Sequence, residues 1–375
     1  MKLLISTPFL KNIGGTEIET LLTIKEIQKI NIFEDVVLFC PHDIDLKLFE
    51  WFDLNQKVKV IKYPVFFRNK FFREIDKKFR KILKLNSSPA ETLFWLFQRK
   101  IDISFIYVLS SSSNDYFFPM LKWFPNNRIF IKYTTVYNQN IPPWKKQYLK
   151  AVKFNIVMSK NHETFLRNKS ISNILVQDVL IANERELLKC QSNRKYTFGI
   201  FCRLSPEKGI EDGINLVKYM HACNFNATLL IEGFGEDAYS DYLESLISKY
   251  NLQDYIRLTR KKVLPHQAVE FYEKISFFLI TSKFEGGPMT GLEAMAAGVP
   301  VLTYKVGAMA DRLKNHQCLL ANNFDELKEK ALKLMTLNNS QYQTISNKLR
   351  NHYSLNLSNE SKIRKMANLF QKNSP

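Results

Sequence analysis

Short apolar runs recur along the chain, each followed by a polar or glycine-bearing loop and then by residues with helical spacing. Leu3–Ser6, Asp35–Cys40, Ile103–Leu109, Arg128–Tyr133 and Asn155–Ser159 have the apolar density of strands covered on both faces. A second series follows with Thr197–Cys202, Ala227–Glu232, Tyr255–Thr259, Phe277–Ile280 and Val301–Tyr304. Between them lie helical patterns at Thr16–Ile30, Ile210–Ala222 and Met289–Ala297, and three more close the chain at Asp325–Thr336, Gln341–Tyr353 and Asn359–Phe370. Strands that alternate with helices predict parallel sheets covered on both faces, an α/β class. The polar stretch Gln191–Lys195 interrupts the alternation once, and 375 residues exceed one comfortable core, so two Rossmann-like domains are expected.

Charge adds a second feature. Lys and Arg outnumber Asp and Glu by 54 to 36, a net charge of +18 that calls for an anionic partner: a phosphate-bearing substrate, an anionic membrane surface or nucleic acid. The excess is densest from Lys57 to Lys84, with eleven Lys or Arg against Glu74 and Asp76. Phe67, Phe71, Ile75, Phe79 and Ile82 interleave at helical spacing, and Leu93–Phe97 adds aromatics close by. Such a segment fits an anionic membrane interface; a nucleic-acid surface and an ordinary core helix with a solvated basic face are the competing readings. The five cysteines form no C-x-x-C pair and the six histidines no ligand spacing, which argues against a disulfide frame or a zinc site. The opening M-K-L-L-I-S-T-P-F turns polar too soon for a signal peptide, and no apolar run has the length of a bilayer span. A cytoplasmic protein, peripheral on the inner face of the cytoplasmic membrane, is the expectation.

The chemistry concentrates in S-K-F-E-G-G-P-M-T-G-L-E-A-M-A-A-G-V-P, Ser282 to Pro300. Glu285 follows a buried strand, and Glu293 lies inside the helix that opens near Pro288. The unpaired N–H groups at that helix start, with Gly286 and Gly287 beside them, suit an anion. Elsewhere, Gly14-Gly15 stands between the first strand and its helix, as a phosphate loop or a tight turn. Arg203 and Lys208 straddle a loop after the first strand of the second series, where two cations would neutralise a diphosphate. Gly233-Phe-Gly235-Glu-Asp-Ala238 is a weak dinucleotide fingerprint, and the basic run from Arg260 leaves an NADP site open. Asp43-Ile44-Asp45 reads as a divalent-metal motif or, preferably, as a helix cap.

E-G-G-P-M-T-G-L-E-A-M-A-A-G-V-P-V resembles the signature of the GT4-type (group 1) retaining glycosyltransferases of GT-B fold. R-L-S-P-E-K-G at Arg203–Gly209 resembles a second family segment, with Cys202 in place of its glycine, and Val179–Asn183 resembles the strand that closes the first domain, with Glu184 where glycine is usual. Thr135-Val136-Tyr137-Asn138 departs further, placing tyrosine where histidine is frequent. The resemblance implies two Rossmann-like domains facing across a cleft, residues 1–185 with the C-terminal helix 356–375, and residues 186–355, that helix crossing back to the first domain. It also implies a hexosyltransferase-type enzyme (EC 2.4) that moves a sugar, with retention, from a nucleoside-diphosphate donor such as a UDP-sugar to a glycan or lipid-linked acceptor in surface polysaccharide (lipopolysaccharide, O-antigen or capsule) synthesis. Arg203, Lys208 and Glu285 would be catalytic. Gly14, Gly15, Gly233, Arg260, Gly286, Gly287, Pro288, Met289, Thr290 and Glu293 would bind the donor, and neither metal nor other cofactor is expected. The alternatives are a nucleic-acid-binding protein and a GT-B protein that binds nucleotide sugar without transferring it.

Overall fold

The structure is a computed structural model that describes all residues except 12–13, 43, 55–57, 86, 99–101, 111–116, 136–139, 192, 263, 265–266 and 374–375. The chain divides into two compact units, Met1–Leu180 with Lys362–Pro375, and Ile181–Ser361.

The first unit contains a seven-stranded sheet in the order β3-β2-β1-β4-β5-β6-β7, with every pairing parallel. The strands are β1 (Lys2–Ser6), β2 (Asp35–Phe39), β3 (Lys59–Ile61), β4 (Phe105–Ser110), β5 (Ile129–Tyr133), β6 (Phe154–Val157) and β7 (Ile174–Val176). The middle residues of β1, β2, β4, β5 and β6 are buried, which explains the continuous apolar runs, whereas those of the edge strands β3 and β7 are half-buried. The last helix, Asn359–Lys372, returns to complete this core: Phe370 has its ring about 5 Å from those of Phe33, Phe105 and Phe130.

One charged cluster inside this unit is fully enclosed. Lys132 on β5 is ion-paired with Glu19 of the Gly15–Lys29 helix and donates to the Asp178 carbonyl at 3.0 Å. The other oxygen of Glu19 accepts the Leu180 N–H at 2.6 Å. Val179–Asn183, expected as the strand that closes the first domain, lies in no ladder, although Val179–Ala182 is buried. Its backbone groups bond to side chains instead: Lys362 Nζ reaches the Val179 carbonyl, and Asn359 brackets Ile181. The closing strand of the sheet is β7, shorter and earlier than the apolar pattern indicated.

A second correction concerns the basic segment. It is not one helix. Within the described part of Lys57–Lys84 the structure has β3, a short helix Val65–Arg68 and a longer one Lys70–Ile82. Asn69 separates the helices in extended conformation and caps the second, its Oδ1 accepting the Phe71 N–H at 2.9 Å. Phe67 packs inward on Tyr63 and Phe94, whereas Phe71, Ile75, Phe79 and Ile82 face outward, Phe71 and Ile82 each 75% exposed. Val65, Phe66, Leu93 and Phe97 are exposed as well.

The second unit has a six-stranded parallel sheet, order β10-β9-β8-β11-β12-β13. Its strands are β8 (Tyr196–Phe201), β9 (Leu229–Gly233), β10 (Ile256–Arg260), β11 (Ile275–Ile280), β12 (Val301–Tyr304) and β13 (Leu320–Ala321). Chain order reverses between β8 and β11, which are adjacent and paired through Phe198 and Phe277. In open parallel sheets, ligands bind beyond the carboxyl ends of the strands at such a reversal. The helix Met289–Ala297 follows β11 and ends at Gly298, whose φ of +70° is the left-handed turn that glycine adopts without strain.

Removing the buried cation gives a test of the first unit. Lys132→Ala leaves Glu19 enclosed without its partner and should destabilise that unit by about 3–5 kcal/mol, read as a lower urea midpoint. Double replacement by apolar residues of similar volume should recover much of the loss.

Candidate donor site

Two loops meet at the β8–β11 reversal. The loop after β8 carries Arg203 to Gly209, and the loop after β11 carries Ser282 to Pro288. Lys208 Nζ lies 2.5 Å from Glu285 Oε1, and Ser282 Oγ donates to the same oxygen at 2.9 Å. Both side chains of the ion pair are mostly buried. Backbone contacts hold the loops in register: the Lys283 N–H donates to the Glu207 carbonyl at 3.0 Å, and Thr281 Oγ1 to the Lys208 carbonyl at 3.1 Å. Arg203 is more exposed and pairs with Glu207 at 2.5 Å, which also accepts from Ser205 at 2.7 Å. Cys202 faces all four charges, and burial pushes its thiol up to about 12, so it stays protonated among them.

The Met289–Ala297 helix begins at Pro288 with no side chain capping its first N–H groups. The loop before it is buttressed from behind. Buried Arg312 donates to the Pro288 carbonyl at 2.6 Å, and the Ala308 N–H donates to the Gly286 carbonyl at 2.9 Å. The described contacts thus brace Gly286 and Pro288 from one side through their carbonyls. Met289 and Thr290 form the opening of the helix.

Glu293 lies one turn further in and is 7% exposed. Its Oε2 is 2.8 Å from the hydroxyl of Tyr272, which comes from the Ala268–Glu273 helix before β11. Burial raises the Glu293 carboxyl to about 7, and the bond from Tyr272 opposes the shift.

The remaining expected donor residues are placed differently. A side chain at Gly233 would meet the Cys202 carbonyl at 1.9 Å, and one at Gly235 the Leu204 carbonyl at 1.9 Å. Their bare backbones let the loops after β8 and β9 touch, through the bridge between Leu204 and Gly235. That close approach is a packing reason for both glycines. Arg260 is turned onto the Asp237–Lys249 helix, held by Asp241 at 2.6 Å and Glu244 at 2.8 Å. It bonds to neither Glu285 nor Glu293. Gly14 and Gly15 belong to the first unit. Gly14 is extended, with φ −151°, neither glycine has positive φ, and a side chain on Gly15 would meet open space, so no tight turn requires them. Glu17, two residues on, is raised to about 7 by burial. In the D-x-D stretch, Asp45 accepts the Lys47 N–H at 3.0 Å as a cap, while Asp43 lies outside the described residues, as does Tyr137.

Sequence reasoning missed Tyr272, Arg312, Ser282 and Glu207. Nothing in the spacing marks Tyr272, which reads as one more aromatic in the F-Y-E-K run; Arg312 reads as a surface cation of a helix start.

Residues 189–351 match the family described as glycosyl transferases group 1. A protein of Methanocaldococcus jannaschii described as an uncharacterized glycosyltransferase is 28% identical over 246 residues, 64% of this chain and 61% of that protein's own length. Among solved structures, an Anabaena protein, Alr3699/HepE, in complex with UDP is similar at a TM-score of 0.72 and 14% identity, over 99% of this chain and 100% of that one. A glycosyltransferase from Rickettsia africae is similar at 0.71 and 16% identity, over 99% and 98%. At these identities the likeness is one of fold, and the fold is GT-B.

The Glu293 environment makes a stability prediction. A carboxyl whose folded value is raised contributes stability that is present below its unfolded value and is lost as pH rises through about 7. Glu293→Gln should therefore raise the melting temperature at pH 8, by the equivalent of about 1–3 kcal/mol, and leave it nearly unchanged at pH 5.

Proposed function

We propose that this chain, whose residues 189–351 match the group 1 glycosyl transferases, is a retaining glycosyltransferase using a nucleoside-diphosphate sugar, UDP-linked in the first instance. The observation that carries the reading is the Lys208–Glu285 pair at the β8–β11 reversal, beside a helix start without a side-chain cap. On this reading the donor diphosphate lies against the N–H groups from Gly287 to Thr290, and Arg203 and Lys208 neutralise its charge as the sugar leaves. No metal ion is assigned a part.

Both cations carry a carboxylate in the free protein, Glu207 on Arg203 and Glu285 on Lys208. A diphosphate displaces these carboxylates. Freed from Lys208, Glu285 is then available to the sugar hydroxyls, while Glu293 takes the ribose. Transfer proceeds at the front face of the sugar, with the departing phosphate accepting the proton of the incoming hydroxyl. No carboxylate is assigned as a covalent nucleophile.

The acceptor class proposed is a glycan or lipid-linked saccharide of a surface polysaccharide, reached at an anionic membrane surface. Support for the surface comes from the Lys70–Ile82 helix, with its outward apolar face and with Lys70, Arg73, Lys77, Lys78, Arg80 and Lys81 along its length. Among the described residues no helix is long and apolar enough to cross a membrane.

Assay against a panel of UDP-, GDP- and ADP-sugars should give release of one nucleoside diphosphate with hydrolysis or transfer. Lys208→Ala should lower kcat/KM by about 10²–10³, and Glu285→Gln by a comparable factor. Parent-like turnover in both variants would remove the assigned roles. In flotation with anionic vesicles, binding should weaken as salt rises, and Phe71→Ser with Phe79→Ser should reduce it severalfold. Flotation equal to the parent's would exclude the helix as the contact.

A further inference from the structure

Tyr272 has no part in the reading above, yet its hydroxyl is built into the site. The side chain is fully buried, with its oxygen 2.8 Å from Glu293 Oε2 and 3.1 Å from the Thr290 carbonyl. A phenol has one proton to donate. It cannot bond to both oxygens as a donor at the same time. With Glu293 ionised, the phenol proton points to Oε2. With Glu293 protonated, the carboxyl donates to the phenol oxygen, and the phenol turns its proton to Thr290. Each arrangement uses every proton present, and they differ by one proton and one rotation about the C–O bond.

We propose that Tyr272 is a positioning residue whose hydroxyl switches between the Thr290 carbonyl and Glu293, so that binding of the nucleotide's ribose to ionised Glu293 expels one proton. The inference rests on the reading that Glu293 takes the ribose. No covalent bond changes: the carboxyl proton passes to solvent, and the phenol proton moves from Thr290 to Oε2. An ionised carboxylate is the better ribose partner because its free oxygen accepts hydroxyl protons with the strength of a charged acceptor.

Burial brings the two forms of Glu293 into balance near neutral pH when no ligand is present. Burial holds the Glu293 carboxyl near 7, and the bond from Tyr272 opposes the shift. The Cys190 thiol acts on Tyr272 only electrostatically, and burial raises it to about 11 and keeps it neutral. Small changes in the phenol's bonding therefore move the balance.

Isothermal titration of UDP, with GDP and ADP alongside, into the full chain from about pH 5.5 to about 8.5 tests this. In two buffers of different ionisation enthalpy, Glu293 of the parent should release close to one proton per nucleotide at about pH 5.5, about half a proton near pH 7 and almost none at about 8.5. The diphosphate's own last proton titrates in the same window, and titration of the free nucleotide supplies that baseline. Relative to it, parent affinity should fall toward tenfold per pH unit below about 7. Tyr272→Phe should move the midpoint upward, weakening UDP severalfold at pH 7 but less than about twofold at 8.5. A profile for Tyr272→Phe that overlays the parent's, or a parent profile no steeper than the free nucleotide's own protonation accounts for, would overturn the proposal. Should the phenylalanine variant fail to fold, infrared difference spectra of the parent at pH 6 decide. Addition of nucleotide should remove one protonated-carboxyl band, and its persistence counts against the switch. If no nucleotide binds the parent at any pH, the donor reading itself fails; binding without proton release sinks this inference alone.

Discussion

An ion pair between two loops that are distant in sequence organises the second unit. Lys208 follows β8 and Glu285 follows β11, and the pairing of those strands brings the two within 2.5 Å. Parallel strands point their carboxyl ends the same way, so loops after neighbouring strands must share an edge. In open parallel sheets a reversal of chain order is where ligands bind, and the pair lies at that edge. What the other loop residues do follows from this. Glu207 and Thr281 fix the loop backbones together, Ser282 holds the carboxylate, and Arg312 with Ala308 sets the carbonyls of the glycine-bearing segment behind it.

Charge at this site is balanced in a way that favours exchange over rigidity. An exposed pair such as Arg203–Glu207 contributes little to stability, because water competes for both partners. The more buried Lys208–Glu285 pair has given up solvent on both sides, and a ligand that brings two phosphates offers a stronger counter-charge than one carboxylate. The contrast with Lys132 and Glu19 in the first unit is instructive. That pair is enclosed entirely, is bonded on to the backbone of 178–180, and has no route for an incoming anion; its role is structural.

The strand–helix alternation and the segment from Ser282 to Pro300 were readable because both depend on local order: buried parallel strands need unbroken apolar runs, and a helix end needs its glycine. Less legible was anything decided by tertiary partners. Val179–Ala182 has the composition of a strand, yet Lys362 and Asn359, far along the chain, occupy its hydrogen-bonding groups, and no pattern within those residues could disclose it. The helical spacing from Phe67 to Ile82 ran through Asn69, whose capping role is a local signal that the periodicity overrode. Arg260 illustrates the same limit from the other side. Its two carboxylate partners sit on the preceding helix at positions that look like ordinary surface acids. Tyr272 was invisible because an aromatic before a buried strand is ordinary core, and only its hydroxyl's neighbours distinguish it.

Phe370, set among Phe33, Phe105 and Phe130, has a bearing on biosynthesis. A ribosome delivers the chain from its first residue, and domains tend to fold as they emerge. Here the earlier unit gains part of its interior only once residues near 370 have been translated, after the whole of Ile181–Ser361. Its sheet is therefore still short of an aromatic packing partner when the second unit has already been made.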